Sequence, residues 1–437
     1  MYTSNDTIYA LASGQGVAGV AVIRVSGPKV LDVLRTLCSL QNPKPNYAYF
    51  RPIKSGKKVL DKGLILYFKA PHSFTGEDVA ELQIHGGRGV IQAVSQALSE
   101  ISGLRPAERG EYSRRAVVNG KMDLTEAEGL LDLVHAETEE QRKQALAQLD
   151  GNLGQLYESW RSQLVHHLAY AEAFIDFPEE EIPPAKEQEI NHDIQDLIQK
   201  ISDHLSDNHR GERLREGFQI AIVGVPNVGK SSLINALTKK DVAIVSQTAG
   251  TTRDIVEAHL DVAGFPVILA DTAGLRDSDE EIEAEGIRRA VKRAEQADLI
   301  LSVQDSADYP NAKKLPKALD QKCVITLWNK SDLLKKKTMK NEHFISAKTG
   351  AGITALWDEI KDILTESFSG GAALTRERYR AALTECVDHL TSALSVQALE
   401  LKTEDLRLAA RALGRITGRI EVDELLDVIF RDFCIGK

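Results

Sequence analysis

The residues best placed by type and spacing to do chemistry are Gly224-Val225-Pro226-Asn227-Val228-Gly229-Lys230-Ser231, which fit the phosphate-binding pattern G-x-x-x-x-G-K-[ST]. Glycines let the backbone curl around phosphates, and a helix opening at Ser232 would aim its free N–H groups at them. Lys230 is expected to reach the β- and γ-phosphates, and the Ser231 hydroxyl to ligate Mg²⁺. Three further motifs follow in order. Asp271-Thr272-Ala273-Gly274 ends the apolar run Val267-Ile268-Leu269-Ala270, which sets Asp271 at a strand end to hold the metal shell. Asn329-Lys330-Ser331-Asp332 follows Val324-Ile325-Thr326-Leu327, and the Asp332 carboxylate can accept both the ring N–H and the exocyclic amine of guanine. Adenine lacks that donor pair, so this segment selects GTP over ATP. Ser346-Ala347-Lys348, after Phe344-Ile345, can finish the base pocket. Four motifs in this order, each at the C-terminal end of a predicted strand, imply a guanine-nucleotide-binding domain.

Between the first two motifs lies Ser246-Gln247-Thr248-Ala249-Gly250-Thr251-Thr252-Arg253-Asp254. A threonine here can complete Mg²⁺ coordination only when the γ-phosphate is present, which makes the segment a switch loop. By likeness to other GTPases that threonine is Thr252. Leu275 follows the second motif, where a Ras-type GTPase supplies a water-orienting glutamine, so the chemistry needs another source. Asn227 could help bind a monovalent cation that stabilises charge in place of an arginine finger. The acidic stretch from Asp277 to Glu285 could offer a carboxylate that positions water.

The elements that must hold these residues are legible from periodicity. Val20–Val25, Gly63–Phe68 and Val79–Ile84 read as strands, with helical patterns around 28–38 and 89–101, so the first ~120 residues form a mixed α/β unit. From Asp123 the pattern becomes helical: Leu124, Ala127, Leu131, Val134 and Thr138, then Leu156, Trp160, Leu164, Leu168, Ala171 and Ile175, with Gly151 and Gly154 as the break between. A polar helix runs on to about His209. At Phe218 a short apolar run signals a buried parallel strand, and strand and helix signals alternate to about Phe368. Ser369-Gly370-Gly371 reads as a hinge before a last helical stretch with Leu406, Ala410, Leu413, Ile416 and Ile420 in stripe. The simplest account is an α/β domain inserted into a helical domain, with a third domain at the N-terminus.

Length and composition agree. The chain has 437 residues, enough for roughly three domains. Lys plus Arg number 54 against 64 for Asp plus Glu, a net charge of −10, which argues against a protein that coats nucleic acid electrostatically. Any RNA partner must be met by a local basic patch or by another subunit. Cys38, Cys323, Cys386 and Cys434 are scattered, with no zinc-type spacing, as in a reducing compartment. No signal peptide or long apolar span is evident, and the chain reads as soluble and cytoplasmic, with no membrane association.

The flanks of the central motifs carry a further likeness. Asp6-Thr7-Ile8, Ile23-Arg24-Val25-Ser26-Gly27, Phe74-Thr75-Gly76-Glu77-Asp78, Glu81-Leu82-Gln83-Ile84-His85-Gly86-Gly87, Gly110-Glu111-Tyr112-Ser113, Asn119-Gly120-Lys121-Met122-Asp123-Leu124, Glu126-Ala127-Glu128 and the closing Cys434-Ile435-Gly436-Lys437 resemble the MnmE (TrmE) family of tRNA modification GTPases over essentially the full length. Arg109 and Gln247 depart from the family pattern. The resemblance implies a P-loop GTPase domain with a mostly parallel sheet inserted in an all-α helical domain and preceded by an α+β folate-binding domain. It implies boundaries at 1–120 for the folate-binding and dimerisation domain, 121–212 and 371–437 for the two helical parts, and 213–370 for the G domain. It implies a homodimer that joins a flavoprotein partner, MnmG (GidA), in a heterotetramer or larger complex. That complex acts on tRNA and places a carboxymethylaminomethyl or aminomethyl group on C5 of the wobble uridine. The implied cofactors are Mg²⁺, K⁺ and a tetrahydrofolate derivative, 5-formyl- or methylene-tetrahydrofolate. Residue by residue, Asn227, Ser246, Thr248 and Thr251 match K⁺ ligands, Ser231 and Thr252 match Mg²⁺ ligands, and Glu283 matches the acid that positions the attacking water. With Glu283, Lys230 makes up the catalytic pair, and Arg24, Glu81, Lys121 and Lys437 match folate contacts.

Other signals have plainer readings. Gly14-Gln15-Gly16-Val17-Ala18-Gly19 fits a dinucleotide fingerprint but precedes a β-branched strand, which favours a glycine-rich turn. Cys434 reads either as a nucleophile or, ahead of that, as a partly buried thiol that positions the tail. His85 reads as a turn histidine rather than an acid–base group, and Gly151-Asn152-Leu153-Gly154 as an interhelical break rather than an RNA clamp. Besides tRNA modification, two functions compete: a ribosome-assembly GTPase acting as an RNA-binding switch, and a folate-dependent aminomethyl transferase with an incidental G domain. The first of these should carry a basic module after the G domain, where this chain has Glu404, Asp405, Glu421, Asp423, Glu424 and Asp427.

Overall fold

The computed structural model describes residues 6–14, 16–176, 184–238, 257–271, 291–334, 342–368, 374–419, 426, 429–430 and 433–436. Two compact units gather them: one from Met1–Leu131, Gln148–Ala171 and Leu406–Lys437, the other from Asp132–Ala147 and Glu172–Asp405.

The first unit is built on a six-stranded sheet in the order β3-β4-β5-β2-β1-β6. Its strands are β1 (Thr7–Leu11), β2 (Ala18–Ser26), β3 (Tyr49–Ser55), β4 (Lys58–Phe68), β5 (Val79–Gly86) and β6 (Leu104–Pro106). All neighbours are antiparallel except β1 and β6. Alternation along β2 and β5 buries Ala21, Ile23, Val25, Leu82 and Ile84 on one face, where α1 (Val30–Cys38) and α2 (Arg88–Ser99) cover them. On the other face α3 (Glu111–Val118) seats Tyr112 against Ile8 and Ala10. Phe50, Leu64 and Val20 lie further along that face and stay exposed. The glycine-rich segment at 14–19 runs into β2 and not into a helix. His85 differs from expectation: it lies inside β5, because the alternation continues one turnless step to Gly86.

The helical segments begin with α4 (Leu124–His135), α5 (Glu139–Leu149), α6 (Asn152–Asp176) and α7 (Pro184–Leu205). A capping box opens α4: the Glu126 amide donates to Asp123 Oδ1 at 2.8 Å, and the Asp123 amide donates to Glu126 Oε2 at 2.7 Å. Gly151, at φ +85, makes the turn between α5 and α6. Gly154 does not break the helix as expected; it lies in the first turn of α6, where a Cβ would collide with Asp123 Oδ2. The polar helix stops at Leu205, short of His209, which precedes the short α8 (Arg210–Glu216). After the α/β region come the helices Glu377–Ser395 and Leu399–Thr417. Helices before and after the insert pack together within each unit. Leu124 and Ala127 meet Leu426, Ile429 and Phe430 in the first, and in the second Arg380 Nη1 donates to Leu205 O at 2.7 Å. The expected hinge at Ser369-Gly370-Gly371 lies outside the described residues.

The inserted α/β region holds a sheet in the order β12-β11-β10-β7-β9-β8. These are β7 (Phe218–Val223), β8 (Glu257–Val262), β9 (Phe265–Asp271), β10 (Leu299–Asp305), β11 (Cys323–Asn329) and β12 (His343–Phe344), all parallel except the β8–β9 pair. One face packs on Leu233 and Leu237 of α9 (Lys230–Thr238) and on Leu356, Ile360 and Leu364 of the helix Ile353–Ser367. Ala294, Ala297 and Leu319 lie in a second cluster with Ala221 and Ile300. Burial of both faces explains why these strands read as continuous apolar runs. The architecture is therefore a mostly parallel P-loop sheet inserted between helical segments and preceded by an α+β domain.

Candidate functional site

The glycine-rich loop joins β7 to α9, and its shape depends on two glycines. A Cβ on Gly224 would collide with Val303 O of β10, and one on Gly229, at φ +97, with Asn329 Nδ2. Asn227 is exposed at φ +63, a left-handed conformation that Asn tolerates better than most residues, while Val228 is buried beneath it. Lys230 folds over the loop, its Nζ donating to Gly224 O at 2.8 Å and Val225 O at 3.0 Å. Ser231 and Ser232 are exposed on the first turn of α9, where helix amides lack internal acceptors.

The base-recognition segment is tied to this loop. Asn329 ends β11 level with Asp305 at the end of β10, and it is only 2% exposed. Its Nδ2 donates to Val228 O at 2.8 Å, and its Oδ1 accepts from the Ala347 amide at 3.0 Å. One side chain thus joins the glycine-rich loop to the Ser346-Ala347-Lys348 segment. Lys330, at φ +64, places Nζ 2.7 Å from Asp305 Oδ2. The Lys330 ammonium, with help from the Ala307 amide, holds the Asp305 carboxyl below its ordinary value. The buried Ser346 hydroxyl donates to Asp332 Oδ1 at 2.6 Å and accepts from the Thr349 amide at 3.2 Å, which orients an otherwise exposed carboxylate. Lys348 is exposed beside them. Sequence reasoning missed Asp305, whose signal was an acid ending the apolar run of β10.

Asp271 ends β9 opposite Ile222, one residue before β7 runs out toward the loop. Ser246, Gln247, Thr248, Ala249, Gly250, Thr251, Thr252, Thr272, Ala273, Gly274 and Glu283 lie outside the described residues.

A second cluster lies on the N-terminal sheet. Arg24 of β2 and Glu81 of β5 are register partners, and the guanidinium donates from Nε at 3.1 Å and Nη2 at 2.9 Å to Glu81 Oε1. The two charges therefore offset each other. Phe74 and Tyr112 bracket the guanidinium with ring centroids 5.4 and 5.7 Å away, and Tyr112 Oη donates to Arg24 O at 2.7 Å. Lys121 is exposed, its stem packing against Gly76, two residues from Phe74. The C-terminal tail reaches the same unit: Ile435 bridges Arg109, and a Cβ on Gly436 would collide with Leu11 O. Cys434 is exposed, which corrects the expectation of a partly buried thiol: Phe433 turns inward against Phe430, and the next residue is left outside. Lys437 lies outside the described residues.

Known proteins bear on both clusters. A family model described as the MnmE helical domain matches residues 124–434, and one described as the GTP-binding protein TrmE N-terminus matches residues 7–121. The tRNA modification GTPase MnmE of Paramagnetospirillum magneticum is 50% identical over 441 residues, which span 99% of this chain and 100% of that one. The protein of the same name from Rhodospirillum rubrum is 49% identical, spanning 99% of each chain. The mitochondrial 5-taurinomethyluridine-[tRNA] synthase subunit GTPB3 of Danio rerio is 46% identical, spanning 100% of this chain and 94% of that one. With family models covering both its N-terminal sheet and the rest of its length, this chain belongs to the MnmE family of tRNA modification GTPases.

Proposed function

We propose that this chain is a potassium-dependent GTPase that, as a homodimer joined to a flavoprotein partner, adds a carboxymethylaminomethyl or aminomethyl group to C5 of the tRNA wobble uridine. The observation that carries the reading is the pairing of two sites in one chain whose relatives are named for tRNA modification: a guanine-nucleotide loop system knit by Asn329, and a polar cluster on a separate N-terminal sheet. The donor sets fit the groups they would hold. Ser231, exposed on the first turn of α9, would hold Mg²⁺ with Thr252, and the exposed Asn227 would hold K⁺ with Ser246, Thr248 and Thr251. These ions supply positive charge against the phosphates when bound. Lys230 exchanges its two carbonyl acceptors for phosphate oxygens, and Glu283 accepts a hydrogen bond from the attacking water and so aims it. Arg24, Glu81, Lys121 and Lys437 would hold a tetrahydrofolate derivative, which supplies a one-carbon unit when bound. The apolar, exposed Phe50, Leu64 and Val20 on the same sheet face support pairing of two copies there.

A ribosome-assembly switch would need a basic module after the G domain, whereas that stretch falls within the MnmE helical match. The deciding experiment is mass analysis of wobble uridines in tRNA from cells lacking this chain. Loss of the C5 group is expected; unchanged modification overturns the reading.

A further inference from the structure

We propose that His85 is a catalytic proton-transfer residue of the N-terminal sheet and that Asp61 is its positioning residue. His85 Nδ1 lies 2.8 Å from Asp61 Oδ1 and 3.1 Å from Oδ2. The same carboxylate accepts from the His85 amide at Oδ2 and from the Lys62 amide at Oδ1, each at 2.8 Å. Burial pushes the Asp61 carboxyl up, but the hydrogen bonds from the His85 amide, its ring and the Lys62 amide outweigh that and hold it below the ordinary value. An ionised carboxylate can only accept, so Nδ1 carries the proton and Nε2 is the basic nitrogen. The exposure of the two partners is opposite: the imidazole is 71% exposed and the carboxylate 11%. A pair with so exposed a ring contributes about 0–1 kcal/mol to stability at most, yet three donors fix the carboxylate. Such over-determined orientation of an open imidazole is the arrangement that sets a general base.

The backbone is shaped to permit it. Gly63 lets β4 press against β5, since a Cβ there would collide with Gln83 O, and two residues away Asp61 turns in beneath His85. Gly87 has open space around it, leaving room beside the ring. Alternation puts His85 on the same sheet face as Glu81, four residues back and so about 13 Å along the strand. The tail residues Ile435 and Gly436 dock near Leu11 on β1, two strands from β5 in the same sheet.

The role rests on the folate reading above. Nε2 takes a proton from the amine that attacks the folate-borne methylene carbon. The amine N–H bond breaks and the Nε2–H bond forms; the nitrogen's electron pair bonds the carbon, and the bond from that carbon to the folate nitrogen breaks with its pair left on the folate. Asp61 offsets the imidazolium charge, and the proton returns to the departing folate nitrogen. The test uses the full chain with its flavoprotein partner, tRNA and methylene-tetrahydrofolate as the one-carbon donor, with 5-formyl-tetrahydrofolate as the binding probe. His85→Gln is expected to lower the turnover number for wobble modification by about 10²–10⁴, with folate affinity, thermal midpoint and GTPase rate unchanged. Asp61→Asn is expected to lower it less and to shift the ring from one tautomer to a mixture, read by ¹⁵N NMR of the imidazole. Wild-type protein that does not bind 5-formyl-tetrahydrofolate overturns the cofactor reading and this role with it. Normal folate binding with a His85→Gln variant at wild-type turnover overturns the role of His85 alone.

Discussion

Replacing Asn329 by alanine removes a side chain that ties the glycine-rich loop to the base segment. The side chain is buried and makes two hydrogen bonds, so the change strands the Val228 carbonyl and the Ala347 amide. Each buried polar group left unpaired costs about 1–3 kcal/mol. The two loops can relax toward water in the free protein, which escapes part of that cost. Binding guanine nucleotide must then impose the original geometry, so the cost returns as lost affinity. Taking about 2–4 kcal/mol for the pair, nucleotide binding should weaken roughly 30- to 700-fold. Asn329→Asp sharpens the test: it keeps an acceptor for the Ala347 amide but sets a carboxylate oxygen against Val228 O, so it should do no better than alanine despite its shape. Titration of both variants with a fluorescent GDP analogue measures the effect. Alanine-variant affinity within about threefold of wild type, well below the 1.4 kcal/mol that a tenfold change represents, would refute the claim that this side chain preorganises the site.

Four further outcomes are expected. GTP hydrolysis should run faster in potassium than in sodium by on the order of 10², and Asn227→Ala should abolish the difference; equal wild-type rates in both salts would rule the cation out. Glu283→Ala should slow turnover by about 10²–10⁴ while nucleotide binding persists, and parallel loss of binding would mark the residue as structural. Glu111, 1% exposed, is pushed up by burial but pulled below its ordinary 4.5 by Arg105, the Glu108 amide and Arg115. A depressed carboxyl contributes stability that is complete above pH 4.5 and is lost as pH falls through its lower folded value. Glu111→Gln should therefore cost about 3 kcal/mol near neutrality and flatten the acid limb of urea-unfolding stability below 4.5; an unchanged acid limb would contradict this. Gly154→Ala should destabilise by about 1–3 kcal/mol through collision with the Asp123 cap, whereas an unobstructed helix would gain about 1 kcal/mol from the same change, so the sign of the shift in thermal midpoint decides.

The sequence by itself determined the features whose chemistry is carried by contiguous residues. A phosphate loop is a run of backbone amides and two glycines, so its spacing is visible in the chain, as are the apolar runs that place each motif at a strand end. The capping box Asp123–Glu126 is likewise local. What the chain could not disclose were pairings between residues far apart in it. Asn329 was legible as a base-pocket residue, but its bond to Val228 crosses 101 positions. Arg24 and Glu81 entered only as two folate contacts implied by resemblance and are in fact each other's partners, because β2 and β5 pair in one register. Gly154 read as a breaker until the approach of Asp123 explained why no side chain fits there. His85 read as a turn residue, and Cys434 as half-buried; only the extent of β5 and the inward turn of Phe433 decided otherwise. Local spacing sets what a segment can do, while strand register and close approach, which depend on the whole fold, set which charges are neutralised and which nitrogen or sulfur is left open.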